Sequence, residues 1–112
     1  MIVKKSEAKI VSGPEGFERI FFAGGGKLMS TQVNMKKGVV GPSHSHPHEQ
    51  VNYILSGSLE VTISGEKTVI KAGDSYYVEP NIEHGAVALA DTVMFETFTP
   101  IREDLLQQVK RE

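Results

Sequence analysis

Apolar residues in this chain alternate with polar ones far more often than they recur at the three-to-four spacing of a helix. Met29, Thr31, Val33 and Met35 fall on one side of the run Leu28–Met35, with Ser30, Gln32 and Asn34 on the other. This is the period of a half-buried strand. Glu18–Phe22 is a similar run, and Gly24-Gly25-Gly26 after it suits a hairpin, because glycine reaches positive φ without penalty. Gly38, Gly41 and Pro42 then interrupt the pattern. Gln50–Leu55 reads as a strand, Ser56-Gly57 as a tight turn and Leu59–Ile63 as the return strand. Ser64-Gly65-Glu66 turns again into the short strand Thr68–Ile70, and Ala72-Gly73-Asp74 turns once more. Ser75–Val78, Gly85–Leu89 and Thr92–Phe98 complete the series. Many short, evenly spaced strands predict an all-β sandwich or barrel. Helical spacing survives only in the tail 102–109, where Leu105, Leu106 and Val109 share a face after Pro100. Two turns of helix persist only when docked.

At 112 residues the chain suits a single domain, 1–112, with one modest core. The formal net charge of −2 argues against a nucleic-acid partner, which needs a basic face. The pairs Lys4-Lys5 and Lys36-Lys37 are too short to make one. There is no cysteine, so disulfides and thiolate metal sites are excluded. Residues 1–10 lack the apolar stretch of a signal peptide, and no run approaches the ~20 apolar residues of a membrane span. The expectation is a soluble, cytoplasmic protein.

Three of the four histidines cluster in Ser43-His44-Ser45-His46-Pro47-His48-Glu49-Gln50, and the fourth, His84, lies far along the chain. In an extended segment His44, His46 and Gln50 point the same way, whereas Glu49 faces away. Imidazole is the commonest protein metal ligand. His84, entering a strand after Pro80-Asn81-Ile82, is placed to close a coordination sphere. His48 shares the ligand parity, but Pro47 disturbs the strand there, so it reads as a rim residue. Asn52 is open between a buried hydrogen-bonding role and a substrate contact.

These residues resemble the cupin superfamily. Its first motif, G-x5-H-x-H-x3-4-E-x6-G, is matched by Gly38, His44, His46, Gln50 and Gly57, with glutamine where the family usually has glutamate. Its second, G-x5-P-x-G-x2-H-x3-N, is matched by Gly73 and His84, with Pro80 one place late and the later Gly and Asn missing. Together the motifs span 38–57 and 73–88. The resemblance implies a double-stranded β-helix, or jelly-roll barrel, with a short helical tail. One divalent transition metal (Mn, Fe, Co, Ni or Zn) would sit in the barrel mouth on His44, His46, Gln50 and His84. A glutamine ligand contributes a neutral oxygen and leaves the ion's full charge uncancelled. That favours Lewis-acid chemistry over oxidation to a trivalent state.

Met94, Glu96 and Phe98 share a strand face near the end of the chain. An inward Glu96 requires a cation nearby, the metal or Arg102; the alternative is a rim glutamate paired with Arg102 at the surface. The runs His44–Gln50, Glu79-Pro80-Asn81-Ile82-Glu83-His84-Gly85-Ala86 and Phe98-Thr99-Pro100-Ile101-Arg102-Glu103-Asp104-Leu105 look like the pectin-degradation cupins called KdgF. That resemblance implies ring opening of 4,5-unsaturated monouronates, from pectin and alginate, into linear keto acids. The family's aspartate, phenylalanine and arginine would correspond to Glu96, Phe98 and Arg102, with Glu96 one methylene longer. The partner would then be a carboxylated sugar. Two other activities fit the same fold: a metal-dependent dioxygenase and a non-catalytic small-molecule-binding module. Cupin barrels often form homodimers, and an N-terminal strand from Ile2 to Ile10 is expected to add to a partner's sheet.

Overall fold

The structure is a computed structural model and describes residues 1–111. Ten strands form two antiparallel sheets. They are β1 (Ile10–Ser12), β2 (Phe17–Phe21), β3 (Met29–Met35), β4 (Val40–His44), β5 (Glu49–Ser56), β6 (Ser58–Ile63), β7 (Glu66–Lys71), β8 (Ser75–Val78), β9 (His84–Ala88) and β10 (Thr92–Thr99). One helix, α1 (Glu103–Arg111), follows. The larger sheet has the order β1-β2-β3-β10-β5-β8 and the smaller β4-β9-β6-β7. This is the expected all-β jelly roll with a helical tail. No helix among the described residues is long and apolar enough to cross a membrane.

The alternation seen in the sequence is the packing of the sheets. In β3 every odd position from Met29 to Met35 is buried, and in β10 every even position from Thr92 to Phe98. Val33, Met35, Ile54, Leu59, Val61, Ala88 and Met94 meet between the sheets as the main core. A second cluster, Val11, Phe21, Met29, Phe98 and Leu105, is completed by α1, which docks Leu105 with Leu106 and Val109 beside it. That docking stabilises a helix too short to persist alone. Ser64 and Gly65 both take positive φ, the mark of a type I′ hairpin whose twist suits β6 and β7. Gly57 joins β5 to β6 at φ +91, where a Cβ would collide with Asp91 and Thr92.

Two expectations are corrected. Ile2–Ile10 is not an extended arm: Lys5–Glu7 form a 3-10 turn, and pairing begins only at Ile10. Val40–His44 is a strand of its own, although Gly41 and Pro42 read as a break. It pairs with β9 through a register shift between Gly41 and His44, an irregularity that accommodates Pro42.

Cross-strand register stacks inward residues in rungs across β3, β10, β5 and β8. Val33, Met94 and Ile54 form an apolar rung. The next rung is polar throughout: Thr31, Glu96, Asn52 and Tyr76. Beyond it lie Met29, Phe98, Gln50 and Val78.

Candidate metal centre

The three histidines come from two strands and a connector. His44 ends β4 and His84 begins β9, directly opposite each other in the smaller sheet. His46 lies between β4 and β5, and Gln50 sits in the larger sheet. Face-sharing along one extended segment therefore does not bring His44, His46 and Gln50 together. The chain crosses between sheets at Ser45-His46-Pro47, and it is the closing of the sandwich that makes them converge. Gly85 permits the approach of β4 to β9, since a Cβ there would lie 2.9 Å from the Gly41 carbonyl oxygen.

One ligating nitrogen from each of His44, His46 and His84 falls within 4.8 Å of the others. The tautomers follow from hydrogen bonding. Nδ1 of His44 donates to the Pro42 carbonyl (3.0 Å), Nδ1 of His46 to the His48 carbonyl (3.0 Å) and Nδ1 of His84 to the Ile82 carbonyl (2.9 Å). A carbonyl only accepts, so each Nδ1 carries the proton and each Nε2 keeps its lone pair. The Nε2 atoms of His46 and His84 and Oε1 of Gln50 are buried without a hydrogen-bond partner. Buried acceptors are normally satisfied. Orphaned ones clustered with a third imidazole are what a divalent cation requires, and the residues fit such an ion. Burial, above all, holds the His46 and His84 imidazoles below their ordinary value of 6.5, and the Arg102 charge pushes in the same direction. Both rings are thereby kept neutral, the form that binds metal.

His44, Gln50 and His84 line a cavity of about 370 Å³ with Arg19, Tyr76, Glu96 and Arg102. Glu96 is buried, and its partner is Arg19 rather than Arg102: Arg19 Nη2 donates to Glu96 Oε1 at 2.9 Å. Thr31 Oγ1 donates to the same oxygen at 3.3 Å, and Asn52 Nδ2 to Oε2 at 3.4 Å. Arg102 instead makes a two-point fork to Asp104, Nε to Oδ1 at 2.9 Å and Nη2 to Oδ2 at 2.7 Å. That fork holds the Asp104 carboxyl down at about 2. The guanidinium also lies 5.1 Å from the centre of the Phe98 ring, which packs edge-on to His46. Glu49 faces outward and accepts from the Tyr77 hydroxyl. His48 is tied by Nε2 to the Ile101 carbonyl at 3.1 Å, which joins the histidine connector to the segment carrying Arg102.

Sequence reasoning did not single out Arg19, Thr31 or Tyr76. Strand parity held the signal: Arg19 shares a strand face with Phe17 and Phe21, and Tyr76 with Val78. Burial and the nearby Glu96 charge push the Tyr76 phenol up, so it stays protonated at neutral pH. Asn52 takes the first of its two readings, buried and fully engaged by hydrogen bonds.

The family model described as "Cupin domain" matches residues 31–98. The pectin degradation protein KdgF of Dickeya dadantii is 39% identical over 94 residues, covering 82% of this chain and 86% of that protein. The solved structure of KdgF from Halomonas sp. superposes with a TM-score of 0.87 at 32% identity, covering 94% of this chain and 97% of the other. An RmlC-like cupin from Shewanella frigidimarina gives a TM-score of 0.88 at 33% identity, covering 93% and 94%. With more than half its length matched by the family model and its fold shared end to end with these relatives, the chain belongs to the cupin family, in the company of the KdgF pectin-degradation proteins.

Proposed function

We propose that this cupin binds one divalent transition metal through His44, His46, His84 and Gln50 and opens the ring of 4,5-unsaturated monouronates to linear keto acids. The observation that carries the reading is one cavity lined both by metal-ligand candidates and by Glu96 and Arg102. The likeness to pectin-degradation proteins supports the substrate class. A bound ion supplies Lewis-acid polarisation of a substrate oxygen.

The chain's own groups divide the remaining work. Arg102 uses two of its N–H groups on Asp104 and has others free for the substrate carboxylate. Asp104 and the Phe98 ring hold that guanidinium still. Glu96 Oε1 is occupied by Arg19 and Thr31, whereas Oε2 meets only one long hydrogen bond and has room for a proton. Glu96 Oε2 takes the proton from the anomeric hydroxyl as the ring C–O bond breaks. It returns a proton to the carbon of the released enol, giving the keto acid. The reaction is an isomerisation and consumes no water or electrons. Tyr76, held neutral, donates a hydrogen bond into the same space.

Unsaturated galacturonate supplied to metal-loaded protein should lose its conjugated double bond much faster than in buffer. Loss at the spontaneous rate would remove this reading. A homodimer belongs to the same proposal: Val51, Tyr53, Leu55 and Tyr77 are exposed on the outer face of the larger sheet, an apolar surface that a second copy would cover. Light scattering that returned the monomer mass would remove that part alone.

A further inference from the structure

A glutamine ligand poses a problem that a glutamate does not. The two ends of an amide have the same shape, but only the oxygen binds a cation; the NH2 end points protons at it. Gln50 therefore needs something to decide which end faces the histidines. We propose that Asn52 is a positioning residue that sets this orientation, and that it takes its own orientation from Glu96.

The argument starts from groups that have no choice. Arg19 can only donate, and it donates to Glu96 at 2.9 Å. An ionised carboxylate can only accept, so the end of Asn52 nearest Glu96 must be its NH2, and Nδ2 lies 3.4 Å from Oε2. Asn52 Nδ2 also donates to the Tyr76 hydroxyl at 2.8 Å, a bond that either amide end could form and that sets no direction by itself. With Nδ2 committed, Asn52 Oδ1 faces Gln50 and accepts from its Nε2 at 2.9 Å. Gln50 Oε1 is left buried without a partner, as a ligand atom should be. Reversing any member puts donor against donor or acceptor against acceptor inside the barrel, where an unmade hydrogen bond is most costly. Cross-strand register keeps the members aligned: Asn52 lies opposite Glu96 and Tyr76, one inward position along β5 from Gln50. The relay also explains glutamine at this position, since a glutamate would set a carboxylate oxygen against Asn52 Oδ1.

The inference rests on Gln50 as a metal ligand and is independent of the uronate reaction. It is tested by titrating Co2+ alone into apo protein, reading heat and the visible cobalt spectrum. If the wild type takes up no Co2+ with a change in that spectrum, the metal reading itself fails and this inference with it. Where the wild type binds, Asn52→Leu should weaken affinity roughly 10- to 100-fold, the usual effect of losing a residue that orients a ligand. Glu96→Gln keeps shape and volume and guards against misfolding of the leucine variant. It should also weaken binding, because the amide it introduces can offer Asn52 an N–H and let both neighbouring amides reverse. In a Gln50→Glu background the sign changes: both ends of the ligand side chain are then oxygen. There Glu96→Gln should leave affinity unchanged, or raise it by letting Asn52 turn its NH2 to the introduced carboxylate. Equal losses in both backgrounds would mean only structural damage and would overturn the proposal, as would wild-type affinity in Asn52→Leu or Glu96→Gln.

Discussion

Replacing Arg19 by methionine tests whether the buried Glu96 depends on it. The Nη2–Oε1 distance is 2.9 Å, and the side chains are only 14% and 9% exposed. At an effective dielectric of ~20 the pair attracts by about 6 kcal/mol, most of which offsets the cost of taking both ions out of water. Arg19→Met leaves the carboxylate buried without its cation, a change that typically costs roughly 3–5 kcal/mol. Thr31 and Asn52 still donate to Glu96, so the lower end, about 3 kcal/mol, is expected. For a chain of this size that lowers Tm by roughly 12 °C. The assay is urea unfolding of metal-free protein at neutral pH, since bound metal would add its own stabilisation. Adding Glu96→Gln to Arg19→Met removes the stranded charge and should restore roughly 2 kcal/mol, giving a large coupling in the double-mutant cycle. A loss below about 1 kcal/mol for Arg19→Met, or a double variant no more stable than the single one, would refute this account.

Gly85→Ala should press a Cβ against the Gly41 carbonyl oxygen and Ser43, costing about 1–3 kcal/mol, and should weaken metal binding by moving His44 from His84; calorimetric affinity equal to wild type would show that the β4–β9 spacing does not set the pair. Metal-free stability should be level above pH 6.5 and fall below it: the folded His46 and His84 resist protonation, so the unfolded chain binds more protons as pH drops toward the lowered folded values. Urea midpoints on either side of pH 6.5 check this, and His84→Asn should flatten the slope. Arg102→Lys keeps the charge but loses the fork to Asp104, and should lower kcat/KM on an unsaturated uronate by roughly tenfold or more, chiefly through KM; an unchanged KM would take substrate binding away from Arg102.

The strands with clean alternation were legible because burial writes itself into the sequence every second residue, as in β3 and β10. Of the edge strands, β7 and β8 were legible too, but β1 and β4 were not. β4 holds Gly41 and Pro42, and four of its five residues are exposed, so no pattern marks it. Ile2–Ile10 has apolar residues at both ends but does not fold as a strand, because Lys4-Lys5-Ser6-Glu7 is polar throughout and its last three residues form a 3-10 turn. At the site, the histidines announced themselves by residue type and spacing, though their meeting point depends on two sheets closing. The partner of Glu96 was hidden for a physical reason. Arg19 lies 77 positions away along the chain, and only the register β2–β3–β10 makes the two neighbours.

The candidate ligands are divided between the two walls of the barrel, with His44 and His84 on one and Gln50 on the other. Among the described residues no strand ladder joins those walls at the mouth, where the two connectors meet through the Asn81 N–H to His46 carbonyl bond, so an ion held there would act as a rivet. Stripping it would free the rim to splay while the far end of the sandwich stays clamped by its apolar rungs. Amide exchange should therefore quicken first around the connector 45–48 and the turn 80–83, and only later in the middle of β3.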